Sequence, residues 1–233
     1  MIADPDKRKP LSEEELTAAF RKAAERYGIS DIKADFSPFK DLKVRWERST
    51  GWIDFHISDY LLYADHDAID SLAMTIMSKV FANDSDGYSD DFKRWLTSHE
   101  FRELNQQTYI GRNRTVNRSR DTGKLYGSYE RLVSSGDIPE IPDLRLFWSR
   151  SGMDDRVGGC SCLMRVAVLN RRLDEDDVPE HVLDYCLLSE LLQIDADFSM
   201  DACRKERMIT NSLSNHPYSA ESTEWIRENR LFE

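Results

Sequence analysis

The sequence has no long apolar run, few cysteines and a deficit of positive charge. None of its apolar stretches approaches the roughly 20 residues that cross a bilayer, so we expect no transmembrane helix and no membrane partner. Residues 1–10 lack the apolar segment of a secretory signal, which favours a cytoplasmic protein. In such a protein, the four cysteines are expected to be free thiols rather than disulfides.

Acidic residues outnumber basic ones. The chain has 43 Asp and Glu against 32 Lys and Arg, a formal net charge of -11. This charge opposes general affinity for nucleic acid or anionic membranes, although a local basic patch is still compatible with it. With 40% hydrophobic residues in 233, the chain can bury a substantial core as one domain or two intimate halves.

Local patterns predict several helices and one clear strand. A capping box at Ser12 and Glu15 begins the first helix, and Gly28 ends it. Apolar and polar residues alternate over Trp52–Ser58, which is typical of a strand with one buried face. Further helices are predicted over roughly residues 66–82, around Phe92–Leu96, and around Leu125–Leu132 before Gly136.

The second half of the sequence resembles the first. Asp41–Ser49 matches Asp143–Ser151 at most positions, which makes Trp46 and Trp148 equivalent. Each copy continues into an alternating strand, then Ser58–Leu61 or Asn170–Leu173, then an amphipathic helix after an acidic turn. The second copy has an extra loop containing Gly152, Gly158 and Gly159. The alternative is chance similarity between short segments.

This organisation predicts an α+β protein with two related β-β-α halves and additional helices. We divide it into an N-terminal α/β half (1–110), a basic linker with a helix (111–140) and a C-terminal half (141–233).

A further helix is predicted over Val178–Ile194. Pro179 suits a first turn, and Asp176 or Asp177 is placed to cap it. At about 100° per residue, the helix has a polar face opposite its apolar stripe. The polar face carries Cys186, Ser189, Glu190 and Gln193. Taken alone, this pattern is common on amphipathic helices.

The sequence around this helix resembles the SprT-like and related small zincin metallopeptidases of bacteria and archaea. The resemblance covers residues 143–194 and rests on Gly159–Val166, Leu173-Asp174 and Val178–Tyr185. In that family a His-Glu-x-x-His helix follows, whose histidines bind zinc and whose glutamate is the general base. The resemblance implies a zincin-like C-terminal half in which Ser189 and Gln193 replace both histidines and only Glu190 matches a catalytic residue.

The lost histidines decide the functional prediction. Serine and glutamine are weak zinc ligands beside imidazole, so we expect no high-affinity zinc site and no cofactor. Without a metal, Glu190 supplies neither an electrophile nor oxyanion stabilisation for amide hydrolysis. We therefore predict a catalytically inactive zincin-like protein, a pseudoenzyme in which Glu190 is a vestigial general base. Its role would be binding or regulation, with an unknown protein partner.

A rebuilt metal site is the enzymatic alternative. Cys160 and Cys162 share one face of a predicted strand, and thiolates bind zinc well. An active zinc-dependent peptidase would draw its ligands from these residues: Cys162, Cys186, Cys203 and His216. Against it, free cysteine is commonly a small buried hydrophobic residue, and His216 also suits a surface turn before a last helix containing Trp225 and Ile226.

Nucleic-acid association, as a SprT-like protein, is the alternative from another functional class. Basic residues cluster between the two halves: Arg112, Arg114, Arg118, Arg120 and Lys124. They could form a phosphate-binding patch. The competing interpretation is a solvated linker whose cations pair with the carboxylates of this acidic chain, and it makes nucleic acid an unlikely partner.

Overall fold

The computed structural model describes residues 9–81, 87–151, 153, 156–196 and 201–229. The chain is an α+β protein that divides into two compact units, residues 1–105 and 106–233. The division lies inside the helix His99–Arg112, and residues 111–140 belong to the second unit. None of the helices in the described ranges is long and apolar enough to cross a membrane. Gly152, in the predicted extra loop, lies outside the described residues.

The first unit contains a three-stranded mixed sheet and its helices. In chain order its elements are α1 (Glu13–Ala24), β1 (Asp31–Ser37), β2 (Val44–Ser49), β3 (Trp52–Ser58), α2 (His66–Phe81), α3 (Asp90–Leu96) and the start of α4 (His99–Arg112). Short 3-10 turns follow α1 and β3, at Glu25–Tyr27 and Asp59–Leu61. The strand order is β1-β3-β2, with β1 parallel and β2 antiparallel to β3.

Local sequence signals account for this unit. The predicted capping box is confirmed, since Ser12 Oγ accepts from the Glu15 amide at 3.1 Å and Glu15 Oε2 accepts from the Ser12 amide at 2.8 Å. Gly28, with φ 70°, ends the following 3-10 turn. The predicted alternation is also confirmed, because Ile53, Phe55 and Ile57 are buried, and Phe55 contacts Phe20 with ring centroids 4.5 Å apart.

The second unit contains a four-stranded sheet. Its elements after α4 are β4 (Val116–Asn117), α5 (Gly123–Ser135), β5 (Arg145–Ser149), β6 (Gly158–Ser161), β7 (Val166–Leu169), α6 (Glu180–Asp195), α7 (Ala202–Asn215) and α8 (Ser219–Glu228). A 3-10 helix, Arg171–Asp174, follows β7. The strand order is β4-β5-β7-β6, where β5 and β7 are parallel and the two edge strands are antiparallel to their neighbours.

Helix α6 is the centre of the second unit's core. Its predicted apolar stripe is buried, and it packs against α5, α7, α8 and β6. An ion pair holds α5 against α6. Arg131 donates through Nε and Nη2 to both carboxylate oxygens of Asp184, at 2.9 and 2.6 Å. Ser128 Oγ donates to the same carboxylate at 2.6 Å. Bidentate pairing of this kind fixes the angle of approach as well as the distance.

The repeat is present as topology, but the predicted strand correspondence is wrong. Both units contain the same run of a helix, three strands, a 3-10 helix and a second helix, and the second unit adds β4. In both runs the first strand is parallel to the third and the second strand is antiparallel to it. The matched segments Asp41–Ser49 and Asp143–Ser151 therefore contain β2 and β5, which are not equivalent. Accordingly, Trp46 is 46% exposed, whereas Trp148 is fully buried.

The later part of the match agrees with the topology. Ser58–Leu61 and Asn170–Leu173 both enter a 3-10 helix that precedes the second helix of the unit. The predicted β-β-α pattern lacks one strand per unit, because β1 and β6 are weakly marked in the sequence. Helix α4 was also missed, since its buried face includes polar residues such as Asn105, whose amide donates to the backbone oxygens of Tyr60 and Phe101.

Candidate functional site

The polar face predicted on α6 is part of the protein interior. Cys186 is 1% exposed and Glu190 is 4% exposed. The expectation of an open polar face is therefore wrong for these two residues, because β6 covers that side of the helix. The predicted cap is also wrong: Pro179 is the N-cap residue, without a side-chain cap, and Asp176 pairs with Lys124 at 3.3 Å.

Glu190 lies against the first residue of β6. A Cβ placed on Gly158 would lie 3.3 Å from Glu190 Oε1 and 2.8 Å from the carbonyl oxygen of Val168. Only glycine leaves room for this approach of helix and strand. Glu190 Oε2 is buried and has no hydrogen-bond partner among the described residues. Burial raises the pKa of Glu190, and a hydrogen bond from Cys160 opposes that rise.

Ser189 and Gln193, which the resemblance predicts in the positions of the zinc-binding histidines, bond to their own helix. Ser189 Oγ donates to the carbonyl oxygen of Cys186 at 2.7 Å, and Gln193 Nε2 donates to that of Ser189 at 3.4 Å. Both side chains are half-buried. Their polar atoms therefore serve the backbone of α6, as mid-helix hydroxyl and amide groups often do.

Two thiols and an ammonium group lie where the end of β6 approaches Gln193 of α6. Cys162 Sγ donates to the carbonyl oxygen of Gln193 at 2.9 Å. Lys205 Nζ, from α7, lies 3.5 Å from Cys162 Sγ and donates to the same carbonyl oxygen at 2.9 Å. Cys160 lies two residues before Cys162, in β6, and is half-buried. We call Cys160, Cys162, Glu190 and Lys205 the thiol site.

The environment separates the acidities of the two thiols. Hydrogen bonding by Cys160, with a further contribution from the Lys205 ammonium, holds the pKa of Cys162 below its ordinary value. Hydrogen bonding to Cys162, burial and the nearby Glu190 carboxylate raise the pKa of Cys160. Cys162 is thus the first of the pair to ionise, although it must then give up its donation to Gln193.

The structure separates the four candidate metal ligands. Cys162 belongs to the thiol site, Cys186 lies in the hydrophobic core and Cys203 is exposed on α7. His216 is buried, with its Nε2 3.8 Å from Asp137 Oδ2. The predicted last helix with Trp225 and Ile226 is present as α8, but the expected surface position of His216 before it is wrong, because the side chain is buried. Within the described ranges, no group of three His, Cys, Asp or Glu side chains is arranged to hold a metal ion.

The basic segment is partly neutralised by the chain itself. Arg120 forms an ion pair with Asp174 at 2.5 Å, and Lys124 donates to the Asp174 carbonyl oxygen at 2.8 Å. Arg118 donates to the carbonyl oxygen of Gly111 at 2.8 Å. The remaining two arginines differ in setting: Arg112 ends α4, and Arg114 is exposed. Three of the five cations are therefore bonded to groups of the chain itself.

The first unit contains a second candidate, which sequence reasoning missed. A groove of ≈ 630 Å³ lies at the edge strand β2, and its lining includes Phe39, Arg45, Trp46 and His56. Two cations approach the Phe39 ring, Lys43 Nζ at 4.7 Å and Arg45 Cζ at 5.4 Å from its centroid. We call this surface the edge groove. An edge strand and an exposed tryptophan are tertiary features, which the local pattern does not mark.

Sequence reasoning found the Cys160 and Cys162 pair but not its partners. Lys205 reaches Cys162 from α7. Gly158, which the sequence predicts in a loop, is the first residue of β6. Neither residue carries a local signal for these roles. Comparisons of the chain with protein-family models, curated proteins and solved structures find no significant match. The function is therefore argued from the geometry of the two candidates.

Proposed function

We propose that this protein is a zincin-like protein without peptidase activity, whose role is to bind another protein. The enclosure of Glu190 carries the first half of this proposal. A general base in amide hydrolysis must reach a water molecule beside the substrate carbonyl. Glu190 is 4% exposed and faces Gly158 and Cys160, so its carboxylate has no such position.

The surroundings of Glu190 support the same conclusion. Ser189 and Gln193 bond to the backbone of α6, and neutral oxygen donors compete poorly for zinc. If zinc did bind elsewhere, Glu190 would still lack an open face toward it. Helix α6 matches the peptidase helix of the family at Glu190 but is packed into the core of its unit.

A peptidase assay on the full-length chain tests this half. We expect no cleavage of casein or of a mixed peptide library above the buffer rate, with or without added zinc. We also expect metal analysis of protein purified under reducing conditions to find less than one zinc per chain. Turnover that is abolished by Glu190→Gln, but retained by the exposed control Glu206→Gln, would overturn the proposal.

The edge groove supports the binding half. Strand β2 is the outermost strand of its sheet, and residues 45–49 are exposed. An exposed edge strand presents backbone groups to which an extended segment can add as a further strand. Trp46 adjoins this edge as an aromatic anchor.

The charges around the groove select the partner. Lys43 and Arg45 are exposed beside Phe39 and outnumber Glu47, the carboxylate in the groove lining, on a chain whose net charge is -11. We therefore assign the groove to an extended acidic segment of a partner protein. Complementary charge at an exposed edge contributes mainly to orientation and association rate.

A labelled peptide of alternating Glu and Val tests this assignment by fluorescence anisotropy. We expect saturable binding that weakens about tenfold in Arg45→Glu, the effect of about 1.4 kcal/mol. Arg94→Glu, at an exposed arginine of α3, serves as the matched charge control and should bind as the wild type does. Equal binding of an alternating Lys and Val peptide, or an unchanged affinity in Arg45→Glu, would refute it.

A further inference from the structure

We propose that Cys160 and Cys162 form a hydroperoxide-reactive thiol pair, in which Cys162 attacks the peroxide and Cys160 closes a disulfide. This proposal does not depend on the proposed binding function. It rests on the geometry of the thiol site, where two half-buried thiols, a cation and an enclosed carboxyl group converge.

The ammonium group identifies the attacking sulfur. Lys205 Nζ lies 3.5 Å from Cys162 Sγ, close enough to stabilise a thiolate. Cys162 is half-buried, so a small peroxide can reach it. The other two cysteines lack this combination, because Cys186 is buried in the core and Cys203 is an exposed thiol on α7.

The position of Cys160 suits a resolving thiol. Two residues apart on a regular strand would have Cα atoms about 6.6 Å apart, near the upper limit for a disulfide, and the turn at Cys162 departs from that extended spacing. Cys160 is paired with Ala167 in the sheet, whereas Cys162 begins the turn that follows β6. Cys162 can therefore move toward Cys160 without breaking a strand pair.

Glu190 supplies the second, independent observation. Its side chain is 4% exposed, its Oε2 has no hydrogen-bond partner in the described part of the chain, and its Oε1 lies beside Gly158, two residues before Cys160 on β6. A buried carboxyl oxygen without a hydrogen-bond partner lowers the stability of a fold, so a functional role would explain its presence. Beside a resolving thiol, that oxygen can accept the thiol proton.

The chemistry balances with one hydroperoxide. The Cys162 thiolate attacks the terminal peroxide oxygen, the S–O bond forms and the O–O bond breaks, and the leaving alkoxide takes a proton to become an alcohol. Cys162 is then a sulfenic acid. The Cys160 sulfur next attacks the Cys162 sulfur; the S–S bond forms, the S–O bond breaks, and the departing hydroxide leaves as water with the Cys160 proton, relayed by Glu190.

Mass spectrometry of the intact full-length chain tests the pair. One equivalent of hydrogen peroxide should remove two hydrogens, reversibly with dithiothreitol, and peptide mapping should place the disulfide between Cys160 and Cys162. Cys160→Ser should instead accumulate a sulfenic acid at Cys162 that dimedone traps. At a pH below about 8.5, the ordinary thiol pKa, Lys205→Met should slow the oxidation about tenfold. Lys205→Arg should retain most of the rate, because it keeps the positive charge.

Cys203→Ser is the matched control, because it removes an exposed thiol outside the site, and it should leave the disulfide yield unchanged. Circular dichroism verifies that each variant is folded. A Cys203 that oxidises as fast as Cys162, or a peroxide product without the Cys160–Cys162 bond, would overturn the proposal. Since peptide binding in the edge groove is measured separately, failure here leaves that assignment intact.

Discussion

At the scale of single residues, the surroundings of Glu190 decide its chemical role. On an open helix face it would be a hydrogen-bond acceptor for water. Between α6 and β6 it is a buried acid, and burial raises its pKa. A general base needs solvent and a substrate, whereas a proton carrier next to a thiol needs neither.

Glu190 also predicts a pH dependence of stability. Its folded-state pKa is raised above 4.5, so just above pH 4.5 the folded chain keeps a proton that the unfolded chain has lost. Stability contributed by this group is therefore lost as pH rises from 4.5 through the folded-state pKa. In urea denaturation, Glu190→Gln should lose less stability than the wild type as pH increases across this window.

The thiols that face Glu190 are Cys160, Cys162 and Cys186. Repeating the comparison in a Cys162→Ser chain removes the nearby thiol that ionises first. Glu206→Gln, at an exposed site, should follow the wild-type trend. Parallel pH curves for the wild type and Glu190→Gln would contradict the assigned shift.

At the scale of elements, the close contact between α6 and β6 creates the thiol site. Gly158 allows the Glu190 side chain to approach the strand, and α7 then brings Lys205 to Cys162. The mixed pairing of the sheet places β6 at its edge, so the thiols at its end stay partly accessible. Removing the space at Gly158 should therefore disturb packing and thiol chemistry together.

Gly158→Ala should destabilise the chain by about 1–3 kcal/mol, the usual cost of overpacking. Its Cβ would lie 2.8 Å from a backbone oxygen, which cannot rotate away as a side chain can. Gly159→Ala is the matched control, since its Cβ meets no described atom within 4 Å. It should stay within about 0.5 kcal/mol of the wild type in urea denaturation. Equal effects of the two substitutions would contradict the close approach of Gly158 to the Val168 carbonyl oxygen and to Glu190.

At the scale of the whole molecule, the net charge of -11 dominates interactions with polyanions. The basic segment does not offset it, because Arg120 and Lys124 pair with the chain's own acidic residues. The edge groove is different, since Lys43 and Arg45 flank an aromatic ring there. A partner would therefore be recognised locally, by an acidic segment, rather than through the overall field.

We expect no binding of single-stranded or duplex DNA, even at low salt. Phosphate contacts make DNA affinity salt-dependent, so low salt is the most permissive condition. Fluorescence anisotropy with labelled oligonucleotides measures it. Salt-dependent binding that Arg112→Ala and Arg114→Ala weaken would contradict this expectation and favour the phosphate-patch hypothesis.

The sequence by itself determined what depends on near neighbours along the chain. The capping box at Ser12, the alternation of β3 and the buried stripe of α6 all follow from spacing within one element. The neutral residues Ser189 and Gln193 on either side of Glu190 are likewise visible in the printed sequence. Together they account for the α+β class and for the expectation that this helix holds no zinc.

Only the tertiary structure decided what depends on segments distant in sequence. Parallel pairing of β1 with β3 and of β5 with β7 set the true correspondence of the two units, and no local pattern encodes it. The same holds for Glu190 against Gly158 and for Lys205 beside Cys162. Burial and proximity are properties of the packed chain, so they alone placed Glu190, from the predicted polar face, in the thiol site.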